Sequence, residues 1–255
     1  MNTALPPTAP PDRHDTVTWG ADPYADALRS GHGPLFLRRS DGWLLPLEVE
    51  RWCAGADTAD LSALHRCQGA VLDIGCGPGR LVAALAAQGR RALGIDVSAA
   101  AVARTTATGG SALHRSVFDS LPHEGSWGTA LLLDGNIGIG GDPRILLART
   151  AELVTGKGLL IVETTPTDID ERIQVRVERE PHPHPRPRTR TRTRHTPGDP
   201  FPWARVGTPA LLRHAATAGW APVEQWTVTD QADQIPGAER CFVSLRRRTA
   251  PHSRG

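Results

Sequence analysis

The residues from Ala70 to Val97, AVLDIGCGPGRLVAALAAQGRRALGIDV, constrain the fold more than any other stretch of the chain. Ala70-Val71-Leu72 is a short apolar run that ends on Asp73. Gly75-Cys76-Gly77-Pro78-Gly79 follows, too rich in glycine for a regular element. From Arg80 to Gln88, Leu81, Ala84 and Leu85 recur at helical spacing, and Ala92 to Ile95 is a second apolar run closing on Asp96. That order predicts strand, glycine loop, helix, strand: one βαβ unit of a parallel sheet. Ligands of such units bind at the carboxyl ends of the strands, where the glycines and both acids fall.

The flanking segments extend the alternation. Ser98 is placed to cap a helix from Ala99 to about Thr108, which Gly109-Gly110 ends. Leu113 to Asp119 reads as a third strand closing on Phe118-Asp119, and Thr129 to Leu133 as a central strand covered on both faces. Asp134-Gly135-Asn136 stands at its end, before a loop with glycines at 138, 140 and 141. A helix over Arg144 to Thr155 and a fifth strand over Leu159 to Glu163 follow. Ile169 to Glu178 alternates like a half-buried strand, Phe201 to Val206 like its return, and Thr208-Pro209 opens another helix. Trp226–Thr229 and Cys241–Leu245 read as two final strands.

The string D-I-G-C-G-P-G-R departs from a dinucleotide fingerprint. A GxGxxG pattern would need glycine at position 80, where Arg80 stands, and Asp73 precedes the loop where dinucleotide folds carry an apolar residue. The string resembles the cofactor loop of class I S-adenosylmethionine-dependent methyltransferases. The resemblance implies an α/β fold: a seven-stranded, mostly parallel, Rossmann-like methyltransferase sheet with helices on both faces and an antiparallel last strand. It also implies S-adenosyl-L-methionine as methyl donor and S-adenosyl-L-homocysteine as product. Asp73, Gly75, Cys76, Gly77 and Gly79 would surround the amino-acid end of the cofactor, and Asp96 would accept hydrogen bonds from the ribose hydroxyls. Val97 would pack on adenine, with Phe118 and Asp119 beside its exocyclic amine. Asp134 and Gly135 would stand where cofactor and acceptor meet, Asp134 being the candidate general base. A vaguer resemblance, carried by LLLDGNIGIGGDP and FPWARVG, is to bacterial methyltransferases of unassigned substrate, and it gives no acceptor.

At 255 residues the chain suffices for one large domain. The expected organisation is a Pro-rich, unpacked tail at 1–18 and an N-terminal helical cap at 19–69. The methyltransferase domain follows at 70–248, with a basic hairpin insert at 166–206, then a loose tail at 249–255. Within the cap, Pro23–Arg29, Leu45–Ala54 and Leu61–Cys67 read as helices and Leu35-Phe36-Leu37 as an extended piece.

The net charge of +2 does not describe a polycation. Four cysteines show neither CxxC pairing nor metal spacing, so no metal is expected, and free thiols fit a cytoplasmic location. The N-terminus lacks the basic start and apolar core of a signal peptide, and no apolar run suffices to cross a bilayer. Arg186, Arg188, Arg190, Arg192 and Arg194 recur at period two, a stripe that either meets phosphate or is simply solvated. The expected function is methyl transfer to an O, N or C nucleophile of a small molecule, with no membrane partner. The rivals are a nucleic-acid or protein methyltransferase docking through the arginine stripe, and a protein that binds the cofactor without methylating. An Asn/Asp-Pro-Pro-Tyr/Phe segment after the fourth strand, the mark of nucleic-acid amino methylation, is absent.

Overall fold

The computed structural model describes residues 23–179, 199–229 and 239–248. Helix α1 (Pro23–Ser30) leads into strands β1 (Phe36–Arg39) and β2 (Leu44–Pro46), then helices α2 (Val49–Cys53) and α3 (Thr58–Arg66). Next come β3 (Val71–Ile74), α4 (Arg80–Ala87), β4 (Ala92–Asp96), α5 (Ala99–Ala107), β5 (Ala112–His114) and β6 (Trp127–Leu132). A 3-10 turn at Asn136–Gly138 precedes α6 (Pro143–Leu153) and β7 (Val154–Thr164). β8 (Asp170–Glu178), β9 (Phe201–Val206), α7 (Thr208–Thr217), β10 (Trp220–Thr229) and β11 (Glu239–Arg247) complete the described chain.

Seven strands form the main sheet in the order β10-β11-β7-β6-β3-β4-β5. β7, β6, β3, β4 and β5 are mutually parallel, and β11 lies antiparallel to both β7 and β10. The sheet is thus mostly parallel with an antiparallel last strand. Its central strands are apolar throughout because helices cover both faces: Leu72, Leu131, Leu132 and Ile161 are fully buried. Each contributes roughly 1.5–3 kcal/mol of apolar burial. The order reverses between β3 and β6, and the chain leaves these two strands toward opposite sides, opening a crevice at their carboxyl ends.

Local chemistry sets the helix starts. Ser98 Oγ accepts from Ala101 N–H at the head of α5, and Asp142 caps α6 with Pro143 in the first turn. Asp57 and Asp60 form a reciprocal capping box on α3.

A second sheet, β2-β1-β8-β9, was not expected from the sequence. β1 pairs antiparallel with β8, Leu37 opposite Val177, so the N-terminal region and the insert form one layer. Its inner face supplies Leu37, Val175, Val177 and Phe201, which bury Ala27 of α1 and Val49 of α2. Two readings are corrected here. Leu45–Ala54 is not one helix, because Leu44–Pro46 pairs with β1 before α2 begins. The third strand stops at His114, so Phe118 and Asp119 lie in the turn beyond it. The 1–18 and 249–255 tails and the Arg186–Arg194 stripe lie outside the described residues. No helix among the described residues is long and apolar enough to cross a membrane.

Candidate active site

The glycine loop leaves β3 folded back on β4: Gly75 and Cys76 both donate backbone N–H to Ile95 O, at 2.9 and 3.0 Å. Gly75 has φ +73°, and a Cβ there would stand 2.7 Å from Asn136 Nδ2. That amide donates to Ile74 O and Gly75 O at 2.9 and 3.0 Å, so Asn136 fastens the loop. Gly77, at φ +53°, donates to Asp96 Oδ2 at 2.9 Å, while Ser98 N–H donates to Asp96 Oδ1 at 2.7 Å. Two main-chain donors therefore orient the Asp96 carboxylate at the end of β4. Burial raises its pKa, against those two hydrogen bonds.

Asp73 is 1% exposed, and its Oδ2 has no hydrogen-bond partner. Burial pushes its carboxyl up to about 7 against the pull of Arg80, with Asp134, Asp60 and Asp96 adding to the rise. A buried oxygen without a donor costs free energy, so such a group in a crevice marks a place for a ligand donor.

Two of the sequence-derived site residues also pack against the scaffold. The Cys76 side chain lies against β4, where a Cβ on Gly94 would meet its Sγ at 2.6 Å. Gly79 begins α4 at φ +87°, and a Cβ there would lie 2.5 Å from Thr105 Cγ2. Its glycine is required by helix packing. Val97 is 36% exposed beside the Asp96 carboxylate, with its carbonyl 2.8 Å from His114 Nε2. Asp119 Oδ2 accepts from Ser116 N–H at 3.1 Å, and the Phe118 ring faces Gly140. Gly135 has φ +77° with open space where a Cβ would project.

Asp134 is placed otherwise than its base role requires. It holds a left-handed backbone at φ 56°. Its carboxylate accepts from Arg51 Nη2 at 2.6 Å and Arg80 Nη2 at 3.0 Å, and pairs with Arg80 Nη1 at 2.8 Å. Burial opposes ionisation, but Arg80, Arg51 and Arg240 outweigh it and hold the carboxyl far below the ordinary range. A carboxylate so held is a weaker base than a free one.

The cluster around it escaped sequence reasoning. Arg80, 3% exposed, grips the fully buried Asp60 through Nε–Oδ2 at 2.7 Å and Nη2–Oδ1 at 2.9 Å. Arg240 binds Glu163 through Nε and Nη2, each at 2.8 Å, and Asp57 through Nη1 at 3.0 Å. Glu163 in turn accepts the Asp134 backbone N–H at 2.8 Å. The capping pattern of Asp57 and Asp60 was the one available signal. The charge pairs themselves join residues too distant in sequence to be read.

Aromatic residues of the cap helices and of β9 reach these loops. The Tyr24 hydroxyl lies 3.6 Å from the Cβ position of Gly77, and Trp52 packs edge-on against Tyr24 at 6.4 Å between ring centroids. Trp203 of β9 closes on Gly138 and bridges to Ile139.

Residues 71–130 match the family model described as a methyltransferase domain. With the strand order above, this decides the fold. It is that of the class I S-adenosylmethionine-dependent methyltransferases. Solved methyltransferase structures superpose over 74% to 92% of the chain. A methyltransferase from Bacteroides fragilis in complex with S-adenosyl-L-homocysteine gives a TM-score of 0.67 at 19% identity, over 91% of this chain and 95% of that one. The CcbJ methyltransferase of Streptomyces caelestis gives 0.56 at 15% identity, over 92% and 100%. The 1,6-didemethyltoxoflavin-N1-methyltransferase of Burkholderia thailandensis, with bound 1,6-didemethyltoxoflavin and S-adenosylhomocysteine, gives 0.50 at 19% identity, over 74% and 76%. No curated protein matches the chain in sequence.

Proposed function

We propose that the chain binds S-adenosylmethionine at the carboxyl ends of β6, β3 and β4 and methylates a small molecule seated under the second sheet. The observation that carries this is the unpartnered Asp73 Oδ2 at the point where the strand order reverses. The site fits a cofactor of this chemistry. An ionised Asp73 suits a cationic ammonium, and Asp96, an acceptor held by two backbone N–H groups, suits vicinal hydroxyls. The exposed Val97 offers an apolar face for a flat base. Side chains at Gly75 and Gly77 would stand in left-handed backbone, and glycine keeps the loop surface low.

When bound, the cofactor supplies an electrophilic sulfonium methyl. The chain's own part is to orient and to exclude water. Tyr24, Trp52 and Trp203 wall the crevice with aromatic surface, and in-line displacement gains most from such positioning. Asp134, Asn136 and Glu163 are bound by arginines or main chain. We therefore read the acceptor as a nucleophile that arrives unprotonated: a neutral amine, whose methylated ammonium then loses its proton to water, or a phenolate, which has none to lose. The Burkholderia enzyme, a similar fold with a small heterocycle bound, supports the small-molecule class.

The test is adenosylhomocysteine release from purified full-length chain, S-adenosylmethionine and a panel of heteroaromatic amines and phenols. Turnover with any of them, retained when residues 181–195 are replaced by a short turn, supports the reading. Turnover only on nucleic acid or protein, lost with that replacement, refutes it.

A further inference from the structure

A parallel sheet is covered on both faces because its crossovers bring helices. The crossover from β5 to β6 is an exception: residues 115–126 form turns and no helix. The corner of the sheet beside it is left partly bare. Leu113 of β5 is 36% exposed, and Leu93 of β4 is half-buried. The two share a face, because Leu113 pairs with Ile95 and Leu93 lies two residues before Ile95. Arg91 stands two residues earlier again, its carbonyl accepting from Val71 N–H at 2.9 Å.

These residues line a cavity of about 440 Å³ at the amino ends of the strands, the opposite end of the sheet from the crevice. Another wall is the turn that enters β6. Trp127 Nε1 donates to Pro122 O at 3.2 Å, and Ser126 donates to His123 O through N–H at 3.1 Å and Oγ at 2.6 Å. His123 is held there in left-handed backbone at φ 59°, its ring edge-on to Trp127 with 6.1 Å between centroids. The aromatic corner is thus fixed by its own hydrogen bonds.

Arg90 and Arg91 line the cavity, and no carboxylate does. Arg90 donates from its two Nη groups to Leu64 O and Cys67 O, at 2.8 and 2.7 Å. Arg91 is exposed, and its guanidinium has no hydrogen-bond or ion-pair partner among the described residues. An apolar floor, an aromatic corner and one uncommitted cation are the elements of a small-molecule pocket, and the volume falls within the usual range of about 300–1,000 Å³. We propose that this cavity is a second ligand site, which takes a small planar aromatic carboxylate. Its ring lies on Leu93 and Leu113 beside Trp127, and its carboxylate meets Arg91, whose planar fork matches it. The site shares no residue with the cofactor crevice.

Cinnamate and its neutral counterpart cinnamamide are the probes. Calorimetry on the full chain, with excess S-adenosylhomocysteine present, is expected to show cinnamate binding about fivefold or more tighter than cinnamamide. R91Q should abolish that preference. L113E, which sets a carboxylate at the exposed edge of the floor, should weaken cinnamate about tenfold. Unchanged thermal melting shows the variants folded, and R91Q, an exposed change, decides alone if L113E melts early. Absence of cinnamate binding, equal binding of the two probes, or cinnamate binding that R91Q leaves unchanged overturns the site. A wild-type dimer that L113E dissociates places a second copy of the chain on this corner, and overturns it as well.

Discussion

Arg51 Nη2 donates to Asp134 Oδ1 at 2.6 Å, and that contact joins the short cap helix α2 to the end of the central strand β6. Behind it Arg80 spans Asp134 and Asp60, and Arg240 ties Asp60 and Asp57 to Glu163. The carboxyl end of β6 is therefore braced by charge. Arg80 and Arg240 stay satisfied only while their carboxylate partners are present.

Asp60→Ala tests the brace. The substitution strips the bidentate partner from an arginine that is 3% exposed and leaves it Asp134 alone, and breaking such a buried pair costs about 3–5 kcal/mol. Urea denaturation should show a loss of that size. A change below about 1 kcal/mol would mean that Arg80 finds water or another partner.

Gly79 and Gly135 both have left-handed backbone, yet they should respond differently to alanine. At Gly79 the new methyl meets the Thr105 side chain at 2.5 Å, adding overpacking to backbone strain, for roughly 2–4 kcal/mol. At Gly135 there is open space, leaving only the left-handed penalty of about 1–2 kcal/mol. Chemical denaturation of the two variants side by side measures the difference, and equal losses would contradict the packing role given to Gly79.

Asp73 predicts a pH signature. Its folded value near 7 lies above the unfolded value of about 3.9, so the native state holds a proton that the unfolded chain releases. The group's contribution is fully present below about pH 4 and is lost as pH climbs through 7. Asp73→Asn should therefore gain stability relative to wild type between pH 4 and 7, by a few kcal/mol in all, then level off. A difference between the two proteins that does not change with pH would show that Asp73 is ionised throughout.

Much of this was legible in the chain. The β3–α4–β4 unit, the Ser98 cap, the apolar central strands and the terminal pair of strands follow from local periodicity and capping chemistry. The second sheet was not, because β1 and β8 are far apart in sequence and each alternates as any half-buried strand does. Pro46 entered a strand that pattern alone assigned to a helix, since pairing with Phe36 decided it. Cys76 and Gly79 were read as ligand contacts because a glycine loop announces close approach without saying to what. In this protein the close neighbours are Gly94 and Thr105. Asp134 looked like a base until Arg51, Arg80 and Arg240 converged on it from three separate elements.

The central claim is that the Asp96 carboxylate receives the cofactor's ribose, and calorimetric titration of wild type and Asp96→Ala with S-adenosylhomocysteine tests it most directly. Loss of a charge-assisted acceptor should weaken binding by about 1–3 kcal/mol, roughly five- to 150-fold. Equal affinity in the two proteins would contradict the account.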